Sequence, residues 1–531
     1  MNAIIAYLVQ NELFFASLVV PTLLMAIFCA RFGTKSTARG SAGWMTLWQA
    51  NRYFSGLKPG LIVGDWKRWT ILPLFYRGAS NILTVGTPGS MKGVGMLIPN
   101  ALRWPFQFIF DPGGEISAVC AKEWRRKGYN FYCINPWDMH AGEPWALPSH
   151  SFNPVDFLDP TSRTFASDAD WLADMLIVRT GKESDPFFNN TAQAWLKGFL
   201  MHIKTHEVPD RQNLLVLREY IMATSQHWNM LMVNMAKNQS DPLIARQAAD
   251  MTRTKDTASK QFQGVMSTLV QATAFLEDQV IRDAICASDV RIADLKGTDE
   301  AGNILRGAIV SVIVPLQYLE THAAFVRLAT GCALLTMERL PLALSRVLFK
   351  FDEFAALGKM NRIVDSLANV RKYRVWINLV FQNIGQAKSL YGEGWNKIEG
   401  GCELRQYVSA WDAETSEHVA KLCGTSTISI NGSPHARPLR TPEEIRQLPV
   451  DQQIVFFGNR APALLKIRPY WDRPMLNGRY YDNPFHARTP DPSPTLPLQV
   501  LAGAVVRFTA WVLTPSPTFL VALALTIWGL S

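Results

Sequence analysis

Residues 81–102 read NILTVGTPGSMKGVGMLIPNAL, a sequence in which strand, loop and helix patterns follow one another. The run 81–85 is short, mostly apolar and contains β-branched residues, which predicts a buried strand. The apolar run 94–102 predicts the start of a helix. A loop with two glycines and a terminal lysine lies between them. Its residues are Gly86, Thr87, Pro88, Gly89, Ser90, Met91 and Lys92, followed by Gly93.

This loop has the composition of a phosphate-binding cradle. In such a cradle, backbone N–H groups and the helix N-terminus face an anion, and a lysine at the position of Lys92 reaches the β- and γ-phosphates. The match to G-x-x-x-x-G-K-[ST] is incomplete. Met91 stands where glycine is normally needed for a positive φ and a close backbone approach, and Gly93 replaces the hydroxyl residue that binds Mg²⁺. A tight strand–helix turn without a ligand explains the same segment when it is taken alone.

A second motif supplies two carboxylates. The strand-like run Val347–Phe351 is interrupted only by Lys350 and is followed by Asp352 and Glu353. Asp352 is predicted to hold Mg²⁺, and Glu353 to polarise the attacking water of a phosphoryl transfer from ATP. An acidic pair at the start of a helix is the alternative for this motif alone. Two such motifs in this order favour a nucleotide site.

Composition bounds the class of protein. The 531 residues exceed one typical domain, and a hydrophobic fraction of 48% with 18% charged residues excludes a disordered chain. Seven cysteines without a CxxC pair suggest neither a disulfide framework nor a zinc cluster, which favours a reducing cytoplasm. The net charge of +9 is compatible with binding to nucleic acid.

Both chain ends carry apolar segments. Residues 13–30 are uncharged and predict a transmembrane helix, with a cleaved signal peptide as the alternative. Residues 31–80 hold eight basic residues and one acidic residue, which places the body of the protein in the cytoplasm. Beyond the Pro-rich linker 489–497, residues 498–531 predict a re-entrant or interfacial apolar hairpin, or else a hairpin packed in the soluble core.

The ordered set of motifs resembles the TraG/VirD-type coupling proteins of bacterial type IV secretion and conjugation, which are RecA-like P-loop ATPases related to FtsK-type DNA translocases. The resemblance covers about residues 80–470. Its motifs are TVGTPGSMKGVGMLIPN (84–100), FIFDPGGE (108–115), SFNPVDFLDP (151–160), DPFFNNTAQAWLKGFL (185–200), FKFDEFAALGKM (349–360), LVFQNIGQAKSLYG (379–392) and AWDAETSEHVAKLCGTSTI (410–428).

The resemblance implies an α/β fold with a RecA-like P-loop nucleotide-binding domain. Helical periodicity predicts an inserted all-α domain, and the apolar runs predict membrane-associated segments at the chain ends. The predicted units are an N-terminal transmembrane anchor (1–35), a basic juxtamembrane segment (36–80), the nucleotide-binding domain in two parts (81–161 and 296–488), the inserted domain (162–295), the linker (489–497) and the C-terminal hairpin (498–531), whose apolar sequence is additional to the family pattern. Relatives usually have two N-terminal membrane helices, whereas one is found here.

The resemblance also implies roles for single residues. Gln382 matches the polar sensor of the γ-phosphate, and Arg371 matches the arginine finger given to a neighbouring subunit, with Arg374 as the other choice. Without the resemblance, a strand-end amide and a solvated cation explain these residues. Asp111 and Glu115 match an acidic strand-end motif in which Gly113, between them, replaces the usual lysine.

The function implied is that of an inner-membrane, homo-hexameric ATPase that uses ATP and Mg²⁺. It would deliver relaxase–DNA complexes, effector proteins or both to the type IV secretion channel and bind DNA without sequence preference. The alternative is a membrane scaffold or receptor for secretion substrates that binds nucleotide without hydrolysing it.

The predicted helical insertion contains two further groups of polar residues. One is a basic set that either contacts phosphates or forms a solvated helix face, namely Arg246, Arg253, Lys255 and Lys260. The other is the i, i+4 pair His202 and His206, which has the spacing of a shared metal site. Since no third ligand accompanies the pair, two exposed polar residues are expected.

Overall fold

The computed structural model describes residues 37–54, 60–66, 73–181 and 185–485. Its strands are β1 (Leu61–Gly64), β2 (Leu74–Tyr76), β3 (Asn81–Gly86), β4 (Phe106–Phe110), β5 (Asn130–Ile134), β6 (Ala308–Val312), β7 (Val347–Phe351), β8 (Val375–Phe381), β9 (Cys402–Val408), β10 (Thr425–Ile430), β11 (Ser433–Pro438), β12 (Gln452–Phe457) and β13 (Ala463–Lys466).

The α-helices of the described residues are α1 (Leu47–Phe54), α2 (Ile98–Arg103), α3 (Glu115–Arg126), α4 (Phe165–Leu176), α5 (Phe187–His206), α6 (Leu214–Ile221), α7 (Ser225–Lys237), α8 (Pro242–Thr257), α9 (Ser259–Ala272), α10 (Gln279–Ala284), α11 (Leu319–Glu338), α12 (Asn361–Ser366), α13 (Ile384–Tyr391), α14 (Trp395–Gly401), α15 (Ala413–Cys423) and α16 (Pro442–Arg446). A π-helical turn, Gly93–Leu97, precedes α2.

A nine-stranded mixed sheet of order β13-β12-β9-β3-β8-β7-β4-β6-β5 forms the centre of the described structure. The seven strands from β9 to β5 are parallel, and β12 is antiparallel to both β9 and β13. In register, Val85 of β3 lies opposite Phe381 of β8, and Phe110 of β4 lies opposite Phe351 of β7. The loops that follow β3, β8, β7 and β4 therefore leave the same edge of the sheet.

The strands β3, β4, β7 and β8 are buried along their whole length, which explains why they appear in the sequence as continuous apolar runs. Layers of helices cover both faces. One core contains Phe108 and Phe349 of the sheet together with Trp195 of α5. A second core on the other face contains Val380 together with Trp124 of α3. The sheet is therefore the middle layer of a three-layer α/β arrangement.

The helix after the loop at 86–93 differs from the prediction for 94–102. It begins as the π-helical turn and continues as α2. Pro99 explains the change, because proline has no N–H to donate to the preceding turn. Gly95 lets this turn pack closely, since a Cβ on Gly95 would lie 2.1 Å from Cγ2 of Ile467, which follows β13.

The segment 162–295, predicted as an inserted all-α domain, contains helices and irregular segments but no strand among its described residues. Near its C-terminal end the segment consists of α9, a 3₁₀ turn (Ala274–Glu277) and α10. One hydrophobic core continues from the sheet into the helices of 162–295. That this segment forms a separate domain therefore stays a prediction.

The described parts of the predicted basic segment 36–80 pack against side chains from several strands of the sheet. Phe54 of α1, Val63 of β1 and Tyr76 of β2 share a buried cluster with Leu404 of β9. The apolar segments predicted to meet the membrane, 13–30 and 498–531, lie outside the described residues. Within the described residues, no helix combines the length and the apolarity needed to cross a bilayer.

Candidate functional site

The loop after β3 curls back on its own first residue. Nζ of Lys92 donates to the carbonyl oxygen of Gly86 over 3.1 Å, and the Thr87 hydroxyl donates to the Ser409 carbonyl oxygen over 3.1 Å. Gly86 cannot carry a side chain without rearrangement, because a Cβ there would lie 2.8 Å from Oγ of Ser90. The loop is therefore a compact turn with its lysine at the carboxyl edge of the sheet.

Met91 has a φ of +60°, the left-handed region that glycine adopts without cost. Its side chain is partly buried against Met96, Val408 and Ile467. The position that usually carries glycine thus keeps glycine's backbone conformation while bearing a methionine. A non-glycine residue in this region costs roughly 1–2 kcal/mol.

Asp352 lies directly after β7 at the same edge. Its Oδ1 is buried and has no hydrogen-bond partner. Burial raises the pKa of Asp352 to about 6, while the nearby charge of Lys92 acts in the opposite direction. An orphaned carboxylate oxygen beside a lysine that is placed to meet phosphates fits a Mg²⁺ ligand, since Mg²⁺ takes oxygen donors.

Glu353 is held between two amides. Nε2 of Gln382 donates to Oε2 over 2.8 Å, and Nε2 of Gln386 donates to Oε1 over 3.2 Å. Oε1 of Gln386 also accepts from the backbone N–H of Gln382 over 3.1 Å. The carboxylate is therefore fixed in one orientation, as a group that aligns a water molecule requires.

Lys350, which interrupts the apolar run of β7, reaches the first turn after the loop. It is buried, and its Nζ donates to the carbonyl oxygen of Leu97 in the π-helical turn over 3.0 Å. Burial lowers its pKa to about 7. Lys350 therefore connects β7, which precedes Asp352 and Glu353, with the π-helical turn that follows the loop 86–93.

Asp111 and Glu115 follow β4 at the same edge. Asp111 is fully buried and accepts from the backbone N–H groups of Ile116 (3.1 Å) and Ser117 (2.7 Å), which fixes the start of α3. Burial raises the pKa of Asp111 to about 7. Oε1 of Glu115 accepts from Nδ2 of Asn483 over 2.6 Å.

A cleft of about 780 Å³ borders this edge on the side of the helical segment. Glu353 and Gln382, which follow β7 and β8, line it together with Gln386 of α13, and Val178–Thr180 and Leu316 line it from the segments around the helices. No residue of the loop 86–93 contributes to its lining. The cleft therefore reaches Glu353 without including the phosphate-binding loop.

Comparison with known proteins decides the family. Residues 50–495 match the family described as Type IV secretory system Conjugative DNA transfer. The chain belongs to this family. The predicted resemblance to TraG/VirD-type coupling proteins is confirmed.

Curated relatives carry the same family names. The conjugal transfer protein TraG of Agrobacterium fabrum is 22% identical over 510 residues, covering 86% of this chain and 74% of that protein. A TraG of Escherichia coli is 25% identical over 494 residues, covering 84% and 75%. The type IV secretion system-coupling protein VirD4 of Bartonella quintana is 23% identical over 478 residues, covering 80% and 71%.

Solved structures confirm the α/β class with a central mixed sheet. The plasmid coupling protein TrwB in complex with ADP and Mg²⁺ superposes with a TM-score of 0.61 at 16% identity, covering 81% of this chain and 94% of that chain. TrwB with a non-hydrolysable ATP analogue gives the same TM-score. At this identity the likeness concerns the fold.

In this member of the conjugative DNA transfer family, the two candidates for the arginine finger lie away from the loop 86–93 and from Asp352. Arg371 is in the 3₁₀ turn Val370–Tyr373 before β8, at the edge of the sheet opposite Lys92. Its side chain is exposed. Arg374 is engaged within its own chain, since its guanidinium donates to the carbonyl oxygens of Ala343 and Leu344. The role of Arg371 as an arginine finger stays a prediction.

The expectation of two exposed histidines is wrong for one of them. His202 is fully buried on the inner face of α5, and its Nδ1 lies 3.0 Å from Nδ2 of Asn238. His206, which stacks on it, is exposed. Because His202 and His206 are four residues apart, both rings lie on one face of α5. The C-terminal end of α7 covers His202 and leaves His206 exposed. Among the described residues no group of three potential metal ligands exists.

The predicted basic set lies on α8 and α9. Arg253 pairs with Asp250 (2.6 Å), and Lys255 donates to Asn229 (3.0 Å). Arg246 and Lys260 are exposed. Contact with phosphates stays a prediction for this surface.

Sequence reasoning assigned no role to Gln386, Asn483 or Lys350. Gln386 lies four residues after Gln382 within the quoted motif 379–392, so the repeated amide was a signal. Lys350 was visible as a break in an apolar strand. Nothing in the sequence indicated Asn483, which lies 368 residues from Glu115.

Proposed function

We propose that this protein is the ATP-driven coupling protein of a type IV secretion system. It would recruit relaxase–DNA complexes, effector proteins or both and deliver them to the secretion channel. Family membership and the names of the relatives TraG and VirD4 support this role. The observation that carries it is the convergence of Lys92, Asp352 and Glu353 at one edge of the sheet.

Each residue of the site has a separate role in phosphoryl transfer. Lys92 would neutralise the β- and γ-phosphates, and Asp352 would hold Mg²⁺, which would supply positive charge against the charge that develops during transfer. Glu353, oriented by Gln382, aligns the attacking water and takes up its proton. Gln382 reports the state of the γ-phosphate. TrwB, which has the same fold, binds ADP, Mg²⁺ and ATP analogues.

Assembly and location complete the proposal. Because Arg371 lies at the sheet edge opposite Lys92, it would act on the nucleotide of a neighbouring subunit, as in a homo-hexamer. DNA would be bound through phosphates without sequence preference, in keeping with the net charge of +9. The apolar segment 13–30 and the basic residues after it support an inner-membrane anchor with a cytoplasmic body.

A nucleotide-binding scaffold without hydrolysis is the second candidate. The observation that favours it is Met91, whose side chain stands at φ +60° in the loop that should approach the phosphates. Glu353, Gln382 and Gln386 favour the enzyme, because a scaffold that only binds nucleotide does not need a carboxylate fixed in one orientation beside the γ-phosphate.

Glu353→Gln tests the choice. The full-length protein in detergent is assayed for binding of a fluorescent ATP analogue and for phosphate release. We expect the variant to bind as the parent does and to release phosphate only at the background rate. Glu393→Gln, at an exposed glutamate, is the matched control and should hydrolyse normally. Equal phosphate release above background by parent and Glu353→Gln would overturn the role of Glu353, whereas release at background by both, with the analogue bound, would favour the scaffold.

A further inference from the structure

Gly93 occupies the position at which a phosphate-binding loop normally carries a serine or threonine hydroxyl for Mg²⁺. The space that such a side chain would enter is bordered by one group. A Cβ on Gly93 would lie 3.8 Å from Oε2 of Glu115, and apart from the adjoining residues no other atom comes within 4 Å. A carboxylate oxygen therefore faces the site of the missing hydroxyl.

The backbone and a distant side chain both hold Glu115 in this place. Gly113 and Gly114 have φ values of +80° and +76°, so the chain turns sharply after β4 and begins α3 at Glu115. Asn483 binds Oε1 over 2.6 Å. The oxygen directed at Gly93 is the other one, Oε2.

A second carboxylate stands near Glu115. Oδ1 of Asp352 is buried and has no hydrogen-bond partner. The backbone N–H of Asp352 donates to the carbonyl oxygen of Phe110 over 3.3 Å, so Asp352 lies at the end of β4, from which the chain continues to Glu115. Two carboxylates at this edge, beside a lysine loop, can hold a divalent cation together with the phosphates.

We propose that Glu115 supplies the Mg²⁺-binding oxygen that the loop hydroxyl provides in other P-loop proteins, so that Asp352 and Glu115 hold the cation together. This inference rests on the proposed nucleotide site. Mg²⁺ is commonly held by one or two carboxylates, with phosphates and waters as the remaining ligands. That pattern agrees with the lack of any three-ligand cluster among the described residues.

The test measures cation affinity rather than turnover. Mn²⁺ binding to the ADP-loaded full-length protein is followed by electron paramagnetic resonance, with ADP affinity measured separately in EDTA. We expect Glu115→Gln to weaken Mn²⁺ binding at least about tenfold, in the range known for disturbed metal sites, and to leave ADP affinity in EDTA unchanged. Adding Gly93→Thr to Glu115→Gln should restore Mn²⁺ affinity, because it rebuilds the hydroxyl.

Asn483→Leu provides a variant that keeps the carboxylate and removes its hydrogen bond, and it should weaken Mn²⁺ binding less than Glu115→Gln. Glu393→Gln is the control and should bind Mn²⁺ as the parent does. If Glu115→Gln binds Mn²⁺ with the affinity of the parent, the inference is overturned. If Glu115→Gln does not fold, parental Mn²⁺ affinity in Asn483→Leu overturns it instead. Failure of the parent protein itself to bind ADP would instead overturn the proposed function.

Discussion

Nε2 of Gln382 lies 2.8 Å from Oε2 of Glu353, so the amide that follows β8 holds the carboxylate that follows β7. Neighbouring parallel strands bring the two residues together, although 29 positions separate them in the chain. Any change in the position of Gln382 is therefore transmitted directly to Glu353. Gln386 binds both partners and completes the arrangement.

Gln386→Met should lower kcat for ATP hydrolysis about tenfold with little change in KM, because Glu353 loses one of two orienting hydrogen bonds while phosphate binding is untouched. Steady-state phosphate release over a range of ATP concentrations separates the two constants. Gln261→Met, at an exposed glutamine of α9, is the matched control. A parental kcat in Gln386→Met would show that Gln386 does not position Glu353.

Met91→Gly should be more stable than Met91→Ala by about 1 kcal/mol, because both lose the methionine side chain and only alanine retains the cost of φ +60°. Chemical unfolding of the two variants measures the difference. Hydrolysis by Met91→Gly should equal or exceed that of the parent. Equal stability of the two variants would mean that residue 91 leaves the left-handed region in solution.

Gly95→Ala should destabilise the protein by about 1–3 kcal/mol, since its Cβ would lie 2.1 Å from the side chain of Ile467. Adding Ile467→Ala should make the cost of Gly95→Ala smaller than in the parent background, which a double-mutant cycle of unfolding free energies detects. Gly400→Ala is the matched control, because a Cβ there meets nothing within 4 Å. Additive effects of the two changes would contradict the contact.

His202 should make stability depend on pH. Burial, with a smaller effect from His206, lowers its pKa to about 4 from the value of 6.5 expected in the unfolded chain. Between these values the unfolded chain binds a proton that the folded chain does not, so stability falls as the pH is lowered from 6.5 towards 4.

The loss between pH 7 and 5 should be about 2 kcal/mol. Unfolding free energies at the two pH values measure it, and His202→Gln should remove that part of the pH dependence. His435→Gln, at an exposed histidine, should leave the dependence unchanged. The same dependence in His202→Gln and in the parent would show that His202 protonates freely in the folded protein.

The strands of the site could be predicted because fully buried parallel strands are continuous apolar runs, and the polar residues that follow them mark the carboxyl edge. For this reason the loop at 86–93 and the pair Asp352 and Glu353 could be placed from the sequence alone. Lys350 was recognisable as a break in an apolar strand, but its role could not be predicted, because its partner is the carbonyl oxygen of Leu97, 253 residues earlier in the chain.

The contacts that complete the site could not be predicted. Asn483 reaches Glu115 through the path of the chain after β13, and no local pattern specifies that path. The burial of His202 depends on where α7 ends, because both histidines share one face of α5. Local periodicity locates a face of a helix, whereas tertiary packing decides how far that face is covered.

Measuring DNA-stimulated phosphate release tests whether the protein is an ATP-driven coupling protein that acts on DNA. The full-length protein in detergent is compared with Lys92→Ala, with and without DNA at low salt, and Lys397→Ala at an exposed lysine is the control. We expect the parent and Lys397→Ala to hydrolyse ATP slowly and DNA to accelerate the reaction. Lys92→Ala should release phosphate only at the background rate. The same phosphate release from the parent and from Lys92→Ala in the presence of DNA would contradict it.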